Sequence, residues 1–225
     1  MTDDTLGAVD PVLVARWLEG WTRSRETPPP VADHGGLRVD VGLPEQRVRY
    51  VFTELGPAIP ALAATIHEPY MFLKACASPE AMRAILPPPW SVQPPGYLMT
   101  CDGPMTGVMA EVGGLPAGYR LEVNTGAKAS SVRVVAEDGS LAASGWVVPV
   151  DEFAIYDRIE TDPAHRRRGL GRAVMKALEG LAREAGATRG LLVATDDGRA
   201  LYETVGWSLH TLFCTAEIPP PVPAV

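Results

Sequence analysis

Thr161-Asp162-Pro163-Ala164-His165-Arg166-Arg167-Arg168-Gly169-Leu170-Gly171-Arg172 joins the end of an expected strand to the start of an expected helix, and its reading decides the fold. The helix is set by apolar spacing. Leu170, Ala173, Val174, Ala177, Leu178, Leu181, Ala182 and Ala185 recur three and one apart and keep a single buried stripe, while Arg172, Lys176, Glu179 and Arg183 fall off it. Gly186 is placed to end the helix, because glycine takes the left-handed conformation without a Cβ penalty. A glycine-bearing turn that opens a helix presents main-chain N–H groups with no acceptor one turn back, at the positive end of the helix dipole, and so forms an anion site. Gly169 and Gly171 let a phosphate approach the main chain, and the flanking arginines add charge. Taken alone, the segment also fits a basic, solvated helix start whose glycines serve only the turn.

The spacing narrows the kind of phosphate. A P-loop needs GxxxxGK followed by Ser or Thr, which this turn lacks. A dinucleotide fingerprint needs GxGxxG or GxGxxA closely after a strand, whereas Gly169-Leu170-Gly171-Arg172-Ala173-Val174 ends in valine and follows a longer turn. Both nucleotide readings weaken.

Arg166-Arg167-Arg168-Gly169-Leu170-Gly171 fits a different pattern: Gln or Arg, two residues, Gly, one residue, Gly or Ala. Downstream, an apolar run from Gly190 to Ala194 precedes Ala200-Leu201-Tyr202-Glu203-Thr204-Val205-Gly206-Trp207, similar to an Ala-Leu-Tyr-x-x-x-Gly-Phe ending. The two segments, in this order, resemble the GCN5-related N-acetyltransferase (GNAT) family over roughly residues 120 to 215. The resemblance implies an α/β protein with a mixed sheet, the GNAT acyl-CoA N-acyltransferase fold. It implies transfer of an acetyl group from acetyl-CoA to a primary amine of a small molecule or peptide, by direct attack on the thioester. A non-catalytic coenzyme A-binding module and a nucleotide-binding protein are the competing readings. Tyr202 favours the enzyme over the first, and the absent P-loop lysine and third glycine count against the second.

Site residues follow from the resemblance. Arg166, Arg167, Arg168, Gly169, Leu170, Gly171 and Arg172 would hold the pyrophosphate, chiefly through main-chain N–H groups. Ile159, Glu160 and Thr161 would pair, like an added strand, with the pantetheine amides where two parallel strands splay. Tyr202 matches the family tyrosine that contacts the cofactor and protonates the departing thiolate, a role suited by an ordinary pKa near ~10; packing beside Leu201 and Val205 is the alternative. Many relatives carry an Asn where Thr195 stands, which puts one cofactor contact in doubt. For the base, strict alternation along Phe153 to Thr161 puts Ile155, Asp157, Ile159 and Thr161 on one face. By resemblance that face carries the strand-borne base, so Asp157 is the first candidate. Glu160, pointing the other way, is the second, and a surface salt bridge is the alternative for both. His165 reads as a solvated loop residue, and no metal is expected.

Outward from this region, Ser131 to Ala136 and Leu141 to Val148 flank Asp138-Gly139, a tight hairpin turn. In the N-terminal half, Leu13, Trp17 and Trp21, with Val14 and Leu18, predict a helix over residues 11 to 26, stopped by Pro28-Pro29-Pro30. Strands are expected around Val39 and Val41 and around Val48, Tyr50 and Phe52, with a break at Gly42-Leu43-Pro44. A helix from Ile59 to Ile66, a strand from Tyr70 to Cys76 and a helix from Pro79 to Leu86 complete this half. Pro87-Pro88-Pro89, Pro94-Pro95-Gly96 and Gly103, Gly107, Gly113, Gly114 and Gly118 read as irregular chain. They divide an N-terminal region, 1–115, from a catalytic domain, 116–217, followed by a frayed Pro-rich tail, 218–225. Ala84-Ile85-Leu86 before Trp90-Ser91-Val92 echoes Ala200-Leu201-Tyr202 before Trp207-Ser208-Leu209, so the N-terminal region reads as a degenerate GNAT-like half that shapes the acceptor site, or as a chance similarity.

Composition agrees with a folded enzyme. The 225 residues are 46% hydrophobic and 21% charged, an ordinary globular balance. A net charge of −7 and a pI near 5.1 argue against nucleic acid as partner and modestly favour cationic amines. The three cysteines form no close CxxC pair and suit free thiols in a reducing, cytoplasmic setting. Met1-Thr2-Asp3-Asp4 does not open a secretory signal, and no apolar run suits a membrane span. Because many relatives dimerise, a homodimer is among the expected assemblies.

Overall fold

The computed structural model describes residues 9–106 and 115–220; Met1 to Asp4, Gly107, Gly113, Gly114 and the tail's 221–225 lie outside the described residues. In chain order the elements are α1 (Pro11–Arg25), β1 (Val31–Asp33), β2 (Gly36–Leu43), β3 (Gln46–Phe52), α2 (Ala58–Ala63), β4 (Met71–Ala75), α3 (Pro79–Ile85) and β5 (Ser91–Val92). They continue as β6 (Gly96–Asp102), β7 (Tyr119–Thr125), β8 (Ser130–Ala136), β9 (Leu141–Val150), β10 (Phe153–Thr161), α4 (Leu170–Glu184), β11 (Arg189–Ala194), α5 (Asp196–Glu203) and β12 (Ser208–Glu217). Contacts group them into two units. The first holds the chain up to Thr22, Glu26 to Leu98, and Leu209 onward; the second holds Arg23 to Arg25 and Met99 to Ser208.

In the first unit, the expected spacing on α1 buries Leu13, Val14, Trp17, Leu18 and Trp21. β1, β2 and β3 pair antiparallel, β3 and β4 parallel, and β4 pairs antiparallel with β12. β1 escapes the sequence reading because it is three residues long, joined to β2 by His34 and Gly35 at φ 48 and 76, a two-residue turn with both φ positive. Ile59, Leu73, Met82, Cys214 and Ala216 form the core. Ile218, expected to start a frayed tail, packs into this core, and its carbonyl accepts from Tyr70 N–H at 3.1 Å.

In the second unit, β7, β8, β9 and β10 pair antiparallel in sequence, and β10 pairs parallel with β11 across α4. Each unit therefore mixes parallel and antiparallel pairs, in keeping with the α/β mixed-sheet expectation. β6 lies in chain expected to be irregular, and β7 follows it in a stretch to which the sequence reading assigns no element. β6 buries Tyr97, Leu98, Met99 and Cys101 in a run without alternation, as in strands covered on both faces. β7 alternates Tyr119, Leu121 and Val123 with Arg120, Glu122 and Asn124, and is largely exposed. Glu179, expected off the α4 stripe, is buried, and its Oε1 accepts from Met105 N–H at 2.6 Å, while Ala185 at the helix end is exposed. Gly186 ends α4 as expected, at φ 88.

Candidate active site

β10 and β11 are paired over three positions, Phe153 with Arg189, Ala154 with Gly190 and Ile155 with Leu191, although β10 runs on to Thr161 and β11 to Ala194. Beyond Ile155 the two strands form no further pairs, which leaves a candidate slot between their edges.

The parting coincides with a β-bulge. Asp157 pairs with Trp146 and Glu160 with Ser144, so Arg158 and Ile159 together oppose Gly145. Arg158 takes φ 51 to make this step. The extra residue shifts the alternation. Asp157 and Glu160 pair with β9 residues two apart and so share a face, while Ile159 and Thr161 turn to the other. That other face carries α4: a Cβ on Gly145 would lie 2.5 Å from Ile159 Cδ1, 2.8 Å from Val174 Cγ1 and 2.9 Å from Leu178 Cδ1. The expectation of Ile155, Asp157, Ile159 and Thr161 on one face, with Glu160 opposite, is corrected by one bulged residue.

At the end of β10, the Asp162 carboxylate accepts from Ala164 N–H at 2.8 Å and starts a 3-10 turn over Pro163–His165. Arg167 and Gly169 follow with φ 63 and 78. Gly169 is the N-cap of α4, and the first helical hydrogen bond runs from Ala173 N–H to its carbonyl at 3.1 Å. The N–H groups of Leu170, Gly171 and Arg172 thus belong to the first turn and have no helical acceptor behind them. Gly171 has a further reason to lack a side chain. A Cβ there would sit 2.9 Å from Leu201 Cδ2 of α5 and 3.6 Å from Thr161 Oγ1, so the strand end, helix start and α5 converge on this residue.

The arginine side chains brace the turn. Arg166 Nε donates to the Thr161 carbonyl at 3.4 Å, and Arg172 Nη2 donates to Thr204 Oγ1 at 3.2 Å. Arg168 donates through Nη1 to the Tyr119 hydroxyl at 2.7 Å and through Nη2 to the Ala164 carbonyl at 3.3 Å. Tyr119 lies 2.9 Å from His165 Nδ1, His165 Nε2 lies 3.4 Å from Ser140 Oγ, and Ser140 Oγ donates to Asp138 Oδ1 at 2.7 Å. The Ser140 donors hold the Asp138 carboxyl below its ordinary range. His165, expected to be solvated, is a link between the hairpin turn and the arginine turn.

Tyr202 is buried on α5 and packs at 6.0 Å, ring to ring, against Trp207. Its carbonyl accepts from Trp207 N–H at 3.1 Å, and Gly206, at φ 91, makes that return. Burial pushes its hydroxyl above the ordinary tyrosine value assumed from sequence. Thr195 serves as N-cap of α5, its Oγ1 accepting from Gly198 N–H at 3.3 Å.

Asp157 is engaged. Ser24 Oγ donates to its Oδ2 at 2.5 Å, and the Arg25 guanidinium pairs with the same oxygen. Arg158 Nη2 donates to the Ser24 carbonyl, and its guanidinium lies 4.1 Å from the Trp146 ring centroid. Burial and the neighbouring Arg158, opposed by the attraction of Glu160, pull Arg25 down to about 10, which leaves it a cation at neutral pH. Glu160 is exposed. Ser24 and Arg25 carry no local sequence signal for this role, because they lie more than a hundred residues from Asp157.

A mixed-sheet α/β unit with a parted parallel pair and a glycine turn opening the crossover helix is the architecture on which the comparisons bear. The model of the acetyltransferase (GNAT) family matches residues 87–207, over half of the 225, and the chain belongs to that family. Acetyl-CoA-dependent N-acetylation is the family's general activity. Solved structures agree on the fold. A GCN5-related N-acetyltransferase from Kribbella flavida is 15% identical with a TM-score of 0.58, covering 91% of this chain and 96% of its own. A protein described as an acetyltransferase from the GNAT family of Novosphingobium aromaticivorans is 19% identical with a TM-score of 0.58, covering 93% and 97%. A GCN5-related N-acetyltransferase-like protein from Streptococcus suis is 12% identical with a TM-score of 0.58, covering 92% and 97%. No curated protein matches the chain.

Proposed function

We propose that the chain is an N-acetyltransferase that carries acetyl-CoA in the β10–β11 slot and acetylates a primary amine of a small molecule or peptide. The observation that carries this reading is the parting of β10 and β11 after three pairs, beside the glycine turn. The residues suit the ligand. First-turn N–H groups of α4 match a pyrophosphate, the arginine side chains keep the turn rigid, and Ile159 to Thr161 offer strand groups for the pantetheine amides. Bound there, acetyl-CoA supplies the acetyl group as a thioester.

The amine nitrogen attacks the carbonyl carbon, the C–S bond breaks, and the amine loses a proton. Glu160 takes that proton, because it is exposed and shares a face of β10 with Asp157, whereas Asp157 is committed to Ser24 and Arg25. Tyr202 gives its proton to the thiolate, although burial makes its hydroxyl a weaker acid than the ordinary tyrosine that this role assumes. Thr195 contributes by capping α5, the helix that presents Tyr202. The three cysteines are free, in keeping with a reducing, cytoplasmic setting. The reading is tested by titration with acetyl-CoA, coenzyme A and ATP, followed by a screen of primary amines for thiol release. Preferential binding of ATP overturns it.

The N-terminal region is, in the same reading, a degenerate copy of the GNAT-like half. β2 and β3 pair antiparallel, α2 crosses to a parallel β4, and α3 follows; β9 and β10, α4, β11 and α5 repeat that order. The echo of Ala84-Ile85-Leu86 and Ala200-Leu201-Tyr202 falls at α3 and α5 respectively. The copy has lost the slot, because β4 is paired with β3 along all five of its residues. One coenzyme A per chain is expected in calorimetry, and two would refute the loss.

A further inference from the structure

We propose that Ser24 and Arg25, at the end of α1, are positioning residues for coenzyme A: they pin the β10 bulge that holds the slot open. The proposal rests on the coenzyme A reading of the slot.

A bulge with a non-glycine residue at φ 51 persists only where its surroundings fix it. Here both consecutive residues, Asp157 and Arg158, are held by the last turn of α1. Arg158 donates to the carbonyl of Ser24, one of the C-terminal carbonyls that a helix leaves without an internal partner, at the negative end of the helix dipole. Asp157 in return accepts from the Ser24 hydroxyl and from Arg25. Ser24 is 5% exposed and the Arg25 and Asp157 side chains are 26% and 14% exposed, so the exchange is partly shielded from water, which strengthens its charge-assisted hydrogen bonds. The Trp146 ring, its centroid 4.1 Å from the Arg158 guanidinium, adds a cation–π contact.

Without these contacts β10 is free to return to regular alternation against β9. The residues beyond the bulge, Ile159 to Thr161, would then exchange faces, and Ile159 would leave its seat beside Val174 and Leu178. Those are the residues offered to the pantetheine arm. Besides its contact with Thr161, the glycine turn has braces from Tyr119, Ala164 and Thr204, which lie outside the bulge.

The experiment uses the full chain and two probes: coenzyme A, and adenosine 3′-phosphate 5′-diphosphate, which keeps the pyrophosphate and lacks the pantetheine arm. Ser24→Ala and Arg25→Met are expected to weaken coenzyme A by about tenfold, the scale of one lost charge-assisted hydrogen bond, while the arm-less probe stays within about twofold. Arg25→Lys, which keeps the charge, recovers most of the loss. Should Arg25→Met fail to fold, Ser24→Ala decides alone, since it removes a single hydroxyl. Equal loss for both probes marks a general loosening and overturns the proposal, and so does unchanged coenzyme A affinity in Ser24→Ala. A wild-type chain that binds the arm-less probe and coenzyme A equally refutes the pantetheine slot itself, and one that binds neither refutes the coenzyme A reading.

Discussion

Gly169→Ala separates backbone conformation from contact at the helix start. Gly169 sits at φ 78 and ψ 3, and a Cβ built there meets nothing within 4 Å. The substitution therefore adds no clash, and its whole cost is that of a left-handed L-residue, about 1–2 kcal/mol. If the turn stays as it is, that cost is lost from stability and lowers the melting temperature by about 2–8 °C for a chain of this size. If the turn relaxes, the first-turn N–H groups lose their aim and coenzyme A binding weakens by about 5- to 30-fold, since 1.4 kcal/mol is a factor of ten. Gly169→Asn is expected to lie nearer wild type, because asparagine tolerates the left-handed region. Gly171→Ala adds no such strain but presses on Leu201 Cδ2 at 2.9 Å, so its effect falls on the packing of α5. Calorimetric titration with coenzyme A and thermal melts on the same samples read both costs. Gly169→Ala matching wild type in both, or Gly169→Asn losing as much as Gly169→Ala, refutes the assignment of Gly169 to a conformational role.

Tyr202→Phe is expected to lower kcat by on the order of 10²-fold with little change in coenzyme A affinity, and unchanged turnover removes Tyr202 from the mechanism. Tyr119→Phe removes the acceptor of Arg168 and the hydroxyl beside His165, and is expected to weaken coenzyme A by about 2- to 10-fold in the same titration, the scale of one hydrogen bond. Burial raises the folded-state pKa of Tyr202 and of Tyr156. Each tyrosine's contribution is thus fully present below the unfolded value near ~10 and is lost as pH rises above it, at about 1.4 kcal/mol per pH unit per group. The urea midpoint should fall between pH 10 and 11, less steeply in Tyr202→Phe, and a flat midpoint contradicts the burial account.

The parts of the fold set by local chemistry were legible in the sequence. The stripe from Leu170 to Ala182, the stop at Gly186 and the Asp138-Gly139 hairpin follow from spacing and turn residues that act within a few positions. β6 was not legible, because a strand buried on both faces loses its alternation and lies between Pro94-Pro95 and Gly103. Glu179 broke the pattern through a partner, Met105, that only the tertiary fold supplies. In the site, the glycine turn and the strand end were legible as segments, and their convergence on Gly171 was not, since it depends on Leu201 of α5. The environment of Asp157 depends on Ser24 and Arg25, which no periodicity along β10 reports.

The bulge at Arg158 acts as a frameshift within a strand. Counted forward from Phe153, odd-numbered residues keep to one side as far as Asp157; counted back from Thr161, the same side belongs to even numbers. Transferring a role onto β10 from a regular strand by counting from the strand's beginning therefore lands one residue short of the one that occupies the position. Alignments of this segment are best anchored at the Asp162-Pro163 turn, from which the numbering runs undisturbed back to Glu160. Deleting a single residue within the bulge would bring the two counts into phase while leaving Asp157 and Glu160 on one face of the strand.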